Sequence, residues 1–155
     1  MNRLTMMLAG AMVLALLAAC GGGGGNSANT APKPKVILRK DVPADYKEKK
    51  PPAGVDLKAQ AVIDKGKELY AGKGNCASCH GAGGKGDGEQ GKELNPKPTD
   101  LTSAEFQSVS DAYIYWRVMT GAVGGPSGSA MTGLIGAGEE EGWQLVAYVR
   151  SLAGK

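Results

Sequence analysis

The five residues Cys76-Ala77-Ser78-Cys79-His80 place two thiols three positions apart, with an imidazole directly after the second. That arrangement reads as a covalent haem attachment site. Each thiol adds across one vinyl group of the porphyrin, and the histidine follows closely enough to serve as proximal axial ligand. Other chemistries use parts of the pattern. A structural zinc site needs four ligands, yet His80 is the only histidine and Cys20 the only further cysteine. A closed zinc site would therefore need an oxygen ligand. A thioredoxin-like dithiol should open a helix after a buried strand, whereas Tyr70-Ala71-Gly72-Lys73-Gly74-Asn75 reads as a helix end running into a loop. A chance CxxC is the remaining reading. The expected cofactor is one haem c, held by Cys76 and Cys79, with His80 on its iron.

What such an iron can do depends on its sixth position. With one protein ligand it binds gases or peroxide; with two it mainly passes electrons. A second histidine is not available within this chain. Met1, Met6, Met7 and Met12 lie in an N-terminal segment expected to be removed, which leaves Met119 and Met131 as thioether candidates. Met119 falls on the apolar face of an expected helix beside Tyr115 and Trp116, where methionine is usually packing filler. Met131 lies in a Gly/Ser-rich stretch from Gly121 to Gly138, longer than a compact domain needs for a plain connection. Met131 is the favoured ligand. Met119, another group such as a lysine, or an open sixth position are the alternatives.

Several elements must position these groups. Ala59, Val62, Ile63, Gly66 and Tyr70 share one helical stripe, and Leu145, Tyr148, Val149 and Leu152 repeat the spacing near the C-terminus. Glu139, Glu140 and Glu141 mark the start of the second helix, where negative charge is favoured. Ser110 to Thr120 reads as a third helix with Gly121 as its stop, and Ser103 to Gln107 as a shorter one. Alternating strand patterns are absent, so the expected class is all-α. Phe106 is the sole phenylalanine, and a domain this small is marginal on side chains alone. A buried porphyrin would supply apolar bulk. Gly81 to Gly86 fits GxGxxG, and Gly86 to Lys92 fits GxxxxGK, but the first follows no strand and the second lacks a following hydroxyl. Both read as a loop whose glycines permit tight turns and close approach to the haem.

The N-terminus reads as an export signal over residues 1–19, with Arg3 followed by an apolar run from Met6 to Ala19. That run is shorter than the ~20 residues a membrane span needs. Leu17-Ala18-Ala19-Cys20 resembles the lipobox of bacterial lipoproteins, in which the cysteine becomes the lipid-bearing first residue of the mature chain. Residues 20–56, rich in Gly, Pro and Lys, read as a lipid-anchored flexible linker with a reach of roughly 30–35 Å. Within it, Val36 to Tyr46 carries enough apolar residues to pack onto the domain or a partner.

The 155-residue chain has a formal charge of +3. Residues 21–56 hold seven Lys and Arg against four acids, and residues 57–155 hold ten against eleven. The basicity is in the linker, which argues against a nucleic-acid-binding domain.

Taken in order, a helix, CxxCHG, a glycine-rich loop, Pro98-Thr99-Asp100-Leu101-Thr102, a middle helix, a methionine loop and Trp143 to Leu152 resemble a class I cytochrome c over residues 57–155. The resemblance implies three to four helices around one haem, attachment through Cys76 and Cys79, and axial ligation by His80 and Met131. It also implies that Gly66 and Tyr70 meet the C-terminal helix near Tyr148, and that Pro98 or Pro96 offers its carbonyl to His80. Thr132 follows Met131 where the family often carries proline.

The function so implied is single-electron transfer at the outer, periplasmic face of a bacterial membrane, between respiratory or photosynthetic complexes. A quinol-oxidising complex would be the donor, and an oxidase or another cytochrome or copper protein the acceptor. A fixed monohaem subunit similar to that of alternative complex III is the related alternative. A haem enzyme or gas sensor with an open sixth position is the third, and it would lack a distal histidine. No enzymatic activity is expected.

Overall fold

The computed structural model describes residues 42–122 and 129–155. All of them belong to one of the two units into which the chain divides, Pro34–Lys155. Cys20, the expected signal and the linker up to residue 41 lie outside the described residues. The described residues form helices and turns with no strand, as an all-α reading requires. In chain order the helices are α1 (Ala44–Lys47), α2 (Gln60–Ala71), α3 (Ala77–His80), α4 (Ala104–Gln107), α5 (Asp111–Thr120) and α6 (Glu139–Ser151), with a 3₁₀ turn at Glu89–Gly91.

Start and stop signals act where the sequence places them. Ser103 and Ser110 cap α4 and α5, their hydroxyls accepting from the backbone N–H of Phe106 and Tyr113. Gly121 ends α5 at φ 65°, a left-handed conformation that favours glycine. The three glutamates fill the first turn of α6.

The frame is the crossing of α2 over α6. A Cβ at Gly66 would run into the Gln144 carbonyl and sit 2.8 Å from Cβ of Tyr148, so the two backbones touch there. One turn on, the Tyr70 and Tyr148 rings meet at 5.0 Å. The core behind this crossing is built from α5 and α6, where Trp143, Leu145 and Val146 are fully buried. Tyr115 and Trp143 stack at 4.4 Å with their planes 12° apart. Arg150 ties the α4–α5 corner to α6. Its guanidinium donates to Asp111 Oδ1 at 2.6 Å, to the Gln107 carbonyl at 2.7 Å and to the Val109 carbonyl.

Residues 42–56, within the expected linker, form a strap that anchors a few apolar side chains on the domain, as the apolar content of Val36 to Tyr46 allows. Val42 is buried, Tyr46 on α1 lies 6.2 Å from Tyr115, and Lys49 pairs with Glu139 at 3.2 Å. Val55 and Leu57 also pack against the core. The cause is the apolar content of a stretch otherwise rich in Pro and Lys. Spaced by short turns, these few side chains find the groove beside α5, and the prolines limit the chain entropy lost in holding them there.

Candidate haem site

α3 is a single helical turn, opened by Cys76 in helical conformation and closed by the His80 N–H donating to the Cys76 carbonyl at 2.9 Å. In such a turn positions i, i+3 and i+4 share a face. Cys76, Cys79 and His80 occupy those positions. Both cysteines are free thiols and half-buried. Burial pushes the Cys76 thiol up to about 11, so it is protonated at neutral pH. A redox-active dithiol depends on the opposite shift. Among the described residues, no three His, Cys, Asp or Glu side chains converge to hold a metal ion, which leaves the zinc reading without support.

His80 is fixed by its outer nitrogen. Nδ1 lies 3.0 Å from the Thr99 carbonyl, which sets Nδ1 as the protonated nitrogen and leaves Nε2 with the lone pair a metal needs. Burial lowers the pKa of His80, opposed by the bond to Thr99. The expected partner was Pro98 or Pro96. It is Thr99, because the neighbouring backbone is pinned elsewhere: the Leu101 N–H donates to the Gly84 carbonyl at 2.7 Å, and Gly86 packs directly on the Pro98 carbonyl.

The glycine-rich loop wraps the back of α3. Gly86 N–H donates to the His80 carbonyl at 2.8 Å, Gly88 N–H to Cys79 at 3.1 Å, and the Tyr70 hydroxyl to Gly81 at 2.8 Å. A Cβ at Gly88 would sit 2.6 Å from the Cys79 carbonyl carbon. No other residue type lets the loop come this close. The loop is thus a cradle, and neither nucleotide-loop pattern within it opens a helix of α type.

Met131 comes from a separate segment and is half-buried. Its carbonyl accepts from the Ala122 N–H at 2.7 Å, and the Leu134 N–H donates to the Val118 carbonyl at 2.8 Å, which lays residues 131–134 along the end of α5. Residues 123–128 of the expected loop lie outside the described ones. Met119 has another role. A Cβ at Gly142 would stand 2.6 Å from its sulfur, so that thioether fills the contact between α5 and α6. Two lysines near the motif are likewise committed, Lys73 to Glu141 at 2.8 Å and Lys92 to Glu89 at 2.6 Å.

Two residues of the site went unnoticed in the sequence. Arg117 is buried, with Nη2 3.8 Å from the Met131 sulfur and its guanidinium carbon 5.5 Å from the Trp116 ring centre. Its Nη1 and the Nε1 of Trp143 are buried donors with no acceptor among the described residues. Buried donors are rarely left so. The only signal in the sequence is a lone arginine directly after the aromatic run Tyr113-Ile114-Tyr115-Trp116. A group bearing carboxylates suits such donors, and a haem carries two. The thiols on one turn, the pinned imidazole and the unpaired donors all fit that cofactor.

The family model for cytochrome c matches residues 63–153, spanning every group just described from α2 to the end of α6. The chain belongs to the cytochrome c family. As a cytochrome c it carries covalently bound haem c, the electron-transfer cofactor of that family. Among solved structures it is similar to a chain of the Kuenenia stuttgartiensis reducing HAO-like protein complex, with 30% identity and a TM-score of 0.53. That match covers 70% of this chain and 53% of the other, so this cytochrome spans about half of its neighbour's length. It is also similar to the c-type cytochrome KustC0563, with 27% identity, a TM-score of 0.42, and coverage of 57% of this chain and 96% of that one. No curated protein matches the chain. Among the described residues no helix is long and apolar enough to cross a membrane.

Proposed function

We propose that this cytochrome c is a monohaem electron carrier, attached through Cys76 and Cys79, ligated by His80 and Met131, and held at the periplasmic face of a membrane by lipid on Cys20. The observation that carries the reading is the division of labour among its ligands. His80 presents Nε2 from the same turn as both thiols, while Met119 is committed to the helix contact and Met131, on a separate segment, meets Arg117 Nη2 at 3.8 Å. When bound, the haem supplies an iron that changes oxidation state by one electron.

The chain's own residues set the conditions for that change. Thr99 holds the His80 tautomer and so keeps a lone pair aimed outward. Arg117 and Trp143 offer their unpaired N–H groups to the haem carboxylates. With His80 and Met131 both holding the iron, no position would remain for a substrate, which favours electron transfer over peroxide chemistry or gas sensing.

The test is the ferric spectrum of the holoprotein. Low spin with a methionine-to-iron charge-transfer band is expected, lost in Met131→Ala and kept in Met119→Leu. The reverse pattern would reassign the sixth ligand. Labelling of the mature N-terminus with a radioactive fatty acid, abolished by Cys20→Ser, tests the anchor.

A second reading is a fixed subunit of a larger redox assembly, either a quinol-oxidising one similar to alternative complex III or one of another kind. Similarity to a chain drawn from a multi-protein complex favours it. Extraction of native membranes in mild detergent separates the two readings. Stable co-purification with other haem or iron–sulfur subunits supports the fixed role; recovery as a single chain supports the shuttle.

A further inference from the structure

Lys73 lies in the turn between α2 and the attachment cysteines, and Glu141 in the first turn of α6, yet the two side chains meet. Lys73 Nζ donates to Glu141 Oε1 at 3.0 Å and to Oε2 at 2.8 Å. The same Oε2 accepts the Gly138 N–H at 3.0 Å, and the same Nζ lies 3.4 Å from the Gly136 carbonyl. Gly136 and Gly138 end the segment that carries Met131. Just before them, Leu134 is buried, with Cδ1 3.4 Å from where a Cβ on Gly74 would be. Two ends of the site are therefore joined at one point, the turn that precedes Cys76 and the exit of the methionine segment. Hydrogen bonding from Lys73, then from the Gly138 backbone, holds the Glu141 carboxyl below the usual carboxylate range, as an engaged ion pair should.

We infer that Lys73 and Glu141 form an ionic latch that holds the methionine segment against the attachment turn and thereby keeps Met131 on the iron. Both are positioning residues; neither touches the metal. The inference rests on the proposed ligation by Met131. With the latch closed, the segment from Met131 to Gly138 is tied at Ala122, at Val118 and at Lys73. With it open, the last of these ties is lost, and the loop can lift so that a small exogenous ligand competes with the thioether. Exposed pairs are weak singly, so the latch tunes the competition without deciding the fold.

The test uses the full-length ferric holoprotein, with imidazole as competing ligand and urea unfolding as control. Glu141→Gln keeps a side chain able to accept from Gly138 and removes only the charge; Lys73→Met removes the ammonium. Each variant should bind imidazole about two- to fivefold more tightly than the parent. The double variant should match the singles, and high salt should bring the parent towards them while its urea midpoint changes little. Unchanged imidazole affinity in both singles, or additive effects in the double variant, overturns the latch. Met131→Ala, measured alongside, separates the two claims. If it abolishes the charge-transfer band while the latch variants bind imidazole like the parent, the latch alone fails. If it retains the band, the ligation by Met131 fails and the latch with it.

Discussion

Arg117 is the one charged side chain buried among the described residues. Desolvation lowers its pKa, but a guanidinium starts so high that it stays charged. With the haem seated against Met131 as proposed, this buried cation favours the reduced iron, which carries one positive charge less. Arg117→Met should therefore lower the reduction potential by on the order of 50 mV, about a sevenfold shift in a one-electron equilibrium, while Arg117→Lys retains most of the parent value. Spectroelectrochemical titration measures both. An unchanged potential in Arg117→Met would place the guanidinium away from the haem carboxylates. Residue types and spacing alone made Cys76, Cys79 and His80 legible, because thioether attachment has a fixed local stereochemistry. Arg117, Trp143 and Thr99 were not legible, since each acts through a partner distant in sequence or through a backbone atom with no side-chain signature.

Helices α2 and α6 were legible as amphipathic stripes, and α4 and α5 as capped segments, since propensity and caps act within a few residues. Their crossing point was not, because periodicity marks a face without saying where another helix meets it. Only resemblance to the family pointed to Gly66. The structure gives the reason, which is that its missing Cβ leaves room for the Gln144 backbone. Gly66→Ala should force the helices apart and destabilise the holoprotein by about 1–3 kcal/mol, the usual range for overpacking, read as a lower urea midpoint. A midpoint equal to the parent's would mean that α2 shifts without loss. The single turn α3 escaped the helical patterns because four residues are too few to display a period.

For the molecule as a whole, the strap from Val42 to Val55 extends the packed domain N-terminal to the family match at residues 63–153. A chain lacking residues 42–50 should lose the burial of Val42 and Tyr46. The expected cost is about 2–4 kcal/mol, seen in thermal or urea unfolding, with the ferric charge-transfer band unchanged. Loss of that band would show that the strap also supports the ligand loop. By itself the sequence determined the cofactor and the helical class, and it set both thiols and the imidazole within five residues, because each depends on groups close together along the chain. Only the tertiary structure decided that Thr99 orients His80, that Met119 serves packing, that Arg117 lies against Met131, and that Lys73 reaches Glu141. Those are contacts between distant segments, fixed by how α2, α5 and α6 pack, and no local pattern of residues encodes them.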